Sequence, residues 1–181
     1  LKANAIFLNN AGLCYIDLKD YEQAESFFRG AINILEDHTL KFELKFNLAV
    51  SLERQGNIQA AALEYWDVVQ EAPKFAEAWL NLAALHHKYG QVETAIHFYL
   101  GGFDAAPSDA FKIKAMCLNN LGVAYYSIGN SSGVEHAYLM LKELSVVEEY
   151  DIRMAELNLF RTQQVVCNWK NFGVKTSSLV R

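Results

Sequence analysis

Apolar residues in this chain fall three and four positions apart, in blocks separated by short polar breaks. Trp79, Leu82, Ala83 and His86 show the spacing, and Ala95, Phe98, Tyr99 and Gly102 repeat it after a break at Gly90-Gln91. Side chains at that interval share one face of an α-helix, so each block predicts an amphipathic helix. Gly90 predicts the stop between them, because glycine readily takes the left-handed conformation that ends a helix. Gly56 and Gly129 hold the same place in other blocks.

The helix pair is itself repeated. Pro73 and Pro107 stand 34 residues apart, and at that offset residues 42–75 align with 76–109 without a gap. Leu48-Ala49 falls on Leu82-Ala83, Gly56 on Gly90, Ala61 on Ala95 and Tyr65 on Tyr99. Two further copies flank these, with short insertions between copies one and two and between copies three and four. Residues 5–38 supply Leu8, Ala11-Gly12, Tyr15, Ala24, Phe28 and Ala31, and residues 115–148 supply Leu118, Leu121-Gly122, Tyr125, Gly129, Tyr138 and Leu141. Small residues recur where the two helices of a copy should cross: Gly12, Ala49, Ala83 and Gly122 against Ala24, Ala61 and Ala95. A proline cannot continue the hydrogen-bond ladder, so Pro73 and Pro107 should close second helices. One pair cannot bury its apolar stripe alone, and the copies are expected to stack.

This pattern resembles the tetratricopeptide repeat, with a large residue, Leu-Gly, Tyr, Ala, Phe and Pro at fixed offsets. Trp79, Leu82, Tyr99 and Pro107 make the third copy the best match. The departures are local, such as Leu52 and His86 where the repeat usually has Tyr. The resemblance implies an all-α fold, a right-handed α-α superhelical solenoid with a concave and a convex surface. After the fourth copy, residues 149–167 read as a helix capping the array, and 168–181 as a junction or tail.

Composition narrows the partners. The 181 residues are 52% hydrophobic at a mean hydropathy of +0.01, which excludes a disordered chain. A net charge of −5 opposes the positive field that phosphate backbones select, so nucleic acid is not an expected partner. No apolar run is long enough to span a membrane, and no signal peptide opens the chain. Cys14, Cys117 and Cys167 are odd in number and widely separated, which suits a reducing compartment, cytoplasmic or nuclear. The opening at Leu1 rather than Met suggests a piece of a longer protein.

Catalytic chemistry is hard to find. Adjacent His86 and His87 would point about 100° apart on a helix and cannot chelate one metal together. His97 and His136 fall at equivalent places in different copies, and Glu36-Asp37 and Glu148-Glu149 read as solvated charges near helix ends. No nucleophile elbow, phosphate-binding loop or zinc-protease motif occurs. Asn130-Ser131-Ser132 is a formal glycosylation sequon, but it falls in a turn inside a repeat.

One regularity stands apart: the sixth residue of every copy is asparagine, at Asn10, Asn47, Asn81 and Asn120. The position lies away from the small crossing residues, so stacking would align four amides along the concave surface. An amide donates and accepts, as a peptide bond requires, so the ladder could hold an extended peptide by its backbone. Equally, these amides could solvate the groove or bond a neighbouring repeat.

A second resemblance lies at the end of the array. Val166-Cys167-Asn168-Trp169-Lys170-Asn171-Phe172 resembles the segment with which O-linked N-acetylglucosamine transferases pass from repeats to catalytic region, although Asn168 and Asn171 stand where that family has Asp. The resemblance implies that Asn10, Asn47, Asn81 and Asn120 grip the backbone of protein substrates. It also implies that a catalytic region beyond Arg181 takes its sugar from a UDP-N-acetylglucosamine donor, with no cofactor, metal or catalytic residue in this segment. The alternative is a free-standing adaptor that binds partner peptides and catalyses nothing. A chaperone-tail adaptor would carry lysine just before the ladder, where this chain has Asn9, Phe46, Leu80 and Asn119.

Overall fold

A helix starts where its first amides find other partners and stops where the backbone can turn left-handed. Both signals act in the computed structural model, which describes residues 2–35 and 38–148. The helices are α1 (Lys2–Asp17), α2 (Tyr21–Ile34), α3 (His38–Gln55), α4 (Ile58–Glu71), α5 (Ala76–Lys88), α6 (Val92–Ala105), α7 (Phe111–Ser127) and α8 (Ser131–Glu148). Among the described residues there is no strand, and no helix is long and apolar enough to cross a membrane. The expected capping helix at 149–167 and the tail at 168–181 lie outside the described residues.

The turn inside each repeat uses one device four times. The amide fifteen residues into each copy reaches back to the carbonyl three residues earlier, and the next amide to the carbonyl five residues earlier. These paired bonds are Lys19 N to Ile16 O and Asp20 N to Tyr15 O, Gly56 to Glu53 and Asn57 to Leu52, Gly90 to His87 and Gln91 to His86, and Gly129 to Tyr126 and Asn130 to Tyr125, all between 2.9 and 3.0 Å. The first residue of each pair has positive φ: 62° at Lys19, 85° at Gly56, 79° at Gly90 and 72° at Gly129. Three repeats meet that demand with glycine, and the first meets it with a lysine. The next helix is then capped from the turn. Asp20 accepts the Gln23 amide at 3.2 Å, and Asn130 accepts the Gly133 amide at 2.9 Å, which commits the sequon's asparagine side chain to α8.

In copies one, two and four the first helix begins ahead of the aligned residues 5, 42 and 115: α1 starts at Lys2, α3 at His38 and α7 at Phe111. The insertions extend the following helix, since nothing in them forbids helical φ and ψ. Pro73 and Pro107 play the same part at the ends of copies two and three: α4 stops at Glu71 and α6 at Ala105, and each proline lies one residue beyond the cap.

The described residues divide into two packed units, one ending at Leu85 and the other beginning at His86, within α5. In the first, α1 packs on α2, α2 on α3 and α3 on α4, around fully buried Phe28, Leu48, Leu52, Tyr65 and Val68. In the second, α6 packs on α7 and α7 on α8, around Tyr99, Leu118, Leu121, Val134 and Leu141. Each side chain of this size contributes roughly 1.5–3 kcal/mol on burial. The crossing residues Ala24, Ala49, Ala61, Ala83 and Ala95 have no exposed surface. Two glycines mark the tightest approaches: a Cβ on Gly12 would stand 2.6 Å from Phe28 Cε1, and one on Gly133 of α8 would stand 2.5 Å from Tyr125 Cγ of α7.

Two stability changes follow. Gly12→Ala must displace the buried Phe28 ring, and should lower stability by about 1–3 kcal/mol in urea unfolding. Lys19→Gly relieves a left-handed lysine and should raise stability by about 0.5–1 kcal/mol, after the added freedom of the unfolded glycine is subtracted.

Candidate peptide-binding site

On a helix, residues spaced by four, three and four form a straight stripe. The ladder asparagines sit on such stripes: Ile6, Asn10, Leu13 and Asp17 on α1, and Glu43, Asn47, Val50 and Arg54 on α3. The same spacing gives Glu77, Asn81 and Ala84 on α5, and Met116, Asn120, Val123 and Ser127 on α7. None of these residues is buried. The small residue at the helix crossing lies two positions after each asparagine, about 200° around the helix, so packing of the pair turns the amide outward.

The structure places the four amides in different surroundings. Asn10 is exposed and Asn120 half-buried, and neither shows a hydrogen bond within the protein among the described residues. Asn47 Nδ2 donates to Asn9 Oδ1 at 3.0 Å, tying α3 to α1. Asn81 Nδ2 donates to Tyr65 Oη at 3.3 Å, and that hydroxyl donates to Glu53 Oε2 at 3.1 Å. A three-helix bridge results, from α3 through α4 to α5. Both reach across to the preceding repeat, and each keeps a second N–H and its carbonyl oxygen outside that bond.

Tyr65 pays for this position in acidity. Burial first, then the Glu53 carboxylate, pushes its phenol far above the usual tyrosine range, and the Asn81 hydrogen bond offsets this only in part. Tyr99, the matching residue of the second unit, is pushed up to about 12 by burial and by Cys117 beside it. Both phenols therefore stay neutral, and Tyr65 serves as a hydrogen-bonding, not an ionic, group.

The ion pairs lie off the asparagine stripes. Lys45 meets Asp67 at 3.3 Å and Glu71 at 3.4 Å. Burial works to lower the lysine pKa, but its hydrogen bonds and the charges of these partners prevail and hold it above the usual value. Glu25 accepts from Arg29 at 2.8 Å and from Gln55 at 2.9 Å. Those contacts outweigh burial and hold its carboxyl below the usual range. His86 stacks on Phe98 with centroids 5.1 Å apart and also contacts Gln91, while His87 meets the edge of Tyr99. Among the described residues no three His, Cys, Asp or Glu side chains converge as a metal site would require.

Sequence reasoning missed Asn9, Glu53 and Tyr65 as partners of the ladder. The Asn9-Asn10 doublet was a signal for the first, but the others depend on which helices the fold makes adjacent.

Comparison with known proteins fits this geometry. Models of the tetratricopeptide repeat match residues 5–38 and 64–97. The chain carries tetratricopeptide repeats, and its fold class is the all-α tetratricopeptide-repeat solenoid. Among curated proteins, the RNA polymerase-associated protein CTR9 of Caenorhabditis elegans is 30% identical across a match that takes in 47% of this chain and 9% of that protein. The chain thus spans less than a tenth of that relative's length. A tetratricopeptide repeat protein from Parabacteroides merdae superposes with a TM-score of 0.77 at 21% identity, over 99% of this chain and 68% of that one. The first tetratricopeptide repeat domain of Spaghetti (RPAP3), bound to the HSP90 peptide SRMEEVD, superposes with a TM-score of 0.60 at 16% identity, over 71% of this chain and 95% of that one. At these identities the two structural likenesses are of fold.

The three-helix bridge is testable. Tyr65→Phe leaves the Glu53 carboxylate and the Asn81 amide without their shared partner, and should cost about 1–2 kcal/mol in chemical unfolding with helix content retained.

Proposed function

We propose that this chain is a protein-binding scaffold that holds extended segments of partner proteins along its asparagine-bearing helix faces. The observation that carries the reading is the stripe itself. Asparagine recurs at one position of every first helix, and packing leaves that position unburied each time. A buried repeat seam would favour apolar side chains, whereas a peptide backbone needs donors and acceptors at regular intervals. The peptide bound by the Spaghetti repeat domain supports the general mode. Its acidic tail is a poorer guide to the ligand, because Asn9, Phe46, Leu80 and Asn119 stand where a carboxylate clamp would place lysine. Cys14 is an exposed thiol and Cys117 a buried one, which suits a cytoplasmic or nuclear protein.

A narrower version makes the scaffold the substrate-recruiting part of a protein O-N-acetylglucosaminyltransferase that uses a UDP-N-acetylglucosamine donor. Its support is the Val166–Phe172 segment, which lies outside the described residues, together with the ladder.

Replacing Asn47, Asn81 and Asn120 together by Ala should weaken binding of an unstructured peptide at least about tenfold by calorimetry, with helical circular dichroism kept. Unchanged affinity would make the ladder purely structural. For the narrower version, the native protein supplied with UDP-N-acetylglucosamine should label Ser or Thr of a bound peptide, and the triple variant should lose that labelling. Absence of any transfer by the native protein would leave the adaptor reading.

A further inference from the structure

The amides of the first unit have different neighbours on their two sides. Three residues after each stands an apolar side chain, Leu13, Val50 or Ala84, and none of these is buried; Leu13 is 39% exposed. The core does not require them to be apolar. Four residues before each amide stand Ile6, Glu43 and Glu77. Neither of these carboxylates is paired with a cation among the described residues. The Asn9–Asn47 bond holds α1 beside α3, and the Tyr65 bridge holds α3 beside α5. The three stripes therefore run side by side as an apolar row, an amide row and a partly acidic row.

Beside Glu43, between α1 and α3, lies a small open cleft, with about 20 Å³ of space that water can reach, lined by Ala5, Ile6, Asn9, Glu43 and Leu44. Buried Ala5 and Leu44 supply an apolar floor, while exposed Ile6 and Glu43 lie at the solvent side. An apolar cleft edged by a carboxylate suits a long cationic side chain, whose methylene stem packs while its charged head stays near water and acid.

An extended chain points successive side chains to opposite sides. Laid along the amide row, it would present one set to Glu43 and Glu77 and the other to Leu13, Val50 and Ala84. We propose that this groove selects extended segments in which basic and aliphatic side chains alternate, with the stem of a lysine or arginine lying over the cleft and its charge beside Glu43. This preference rests on the peptide-binding reading above and adds the chemistry of the partner to it. It is opposite in charge to an acidic tail.

The test uses the 181-residue chain and three fluorescein-labelled hexapeptides: alternating Lys-Val, a block isomer with the three lysines together, and alternating Glu-Val. Anisotropy titration should find the alternating Lys-Val peptide at least about tenfold tighter than the other two. Glu43→Lys with Glu77→Lys should reverse the preference toward Glu-Val. Leu13→Ser with Val50→Ser should weaken both alternating peptides. All four changes are on unburied side chains, and circular dichroism confirms that the variants fold. Equal binding of alternating and block peptides, with both weakened by Ala at Asn47, Asn81 and Asn120, would overturn the side-chain preference and leave the peptide groove standing. If no peptide binds, or the asparagine variant binds as the parent does, the groove reading fails and the preference falls with it.

Discussion

Everything in this molecule depends on how closely the two helices of a repeat can cross. Side chains larger than alanine at the crossing would push the helices apart and open the seam between them. Gly12, Ala49, Ala83 and Gly122 meet that limit, and the ring of Phe28 occupies the space that a Cβ on Gly12 would need. Close crossing lets Phe28, Tyr65 and Tyr99 fill the interior completely. The same geometry repeats because the turn that sets it is repeated, with one pair of backbone bonds and one left-handed residue per copy.

The amide-bearing face is a by-product of that packing. Once the small residue faces its own repeat's second helix, the asparagine two positions earlier must face away. Within the first unit, stacking then brings the outward faces of α1, α3 and α5 together, and the Asn47–Asn9 and Asn81–Tyr65 bonds fasten them. One N–H of Asn47 and one of Asn81 thus join neighbouring repeats, and the same bonds fix the orientation of both amides on the unburied face.

Much of the fold was legible in particular residues. The 34-residue interval from Pro73 to Pro107 marks where second helices stop, and Gly56, Gly90 and Gly129 mark the turns within repeats. These features are local, set by backbone sterics within a few residues, so no tertiary context is needed to read them. Lys19 was not legible as a turn residue, because lysine carries no preference for positive φ and is held there by the two flanking turn bonds.

The site shows the same division. The asparagine ladder could be found by counting, because it depends on a period and a face. Its connections could not, because Glu53, Tyr65 and Asn81 come from three helices and meet only when the repeats stack. Sequence alone determined the helices, the turns, the repeat length and which residues share a stripe, all of which follow from chain stereochemistry and spacing. Tertiary structure decided which stripes became neighbours, which amide found an internal partner, and where a small cleft opened beside Glu43. Those outcomes depend on distances between helices, which packing sets and no single helix contains.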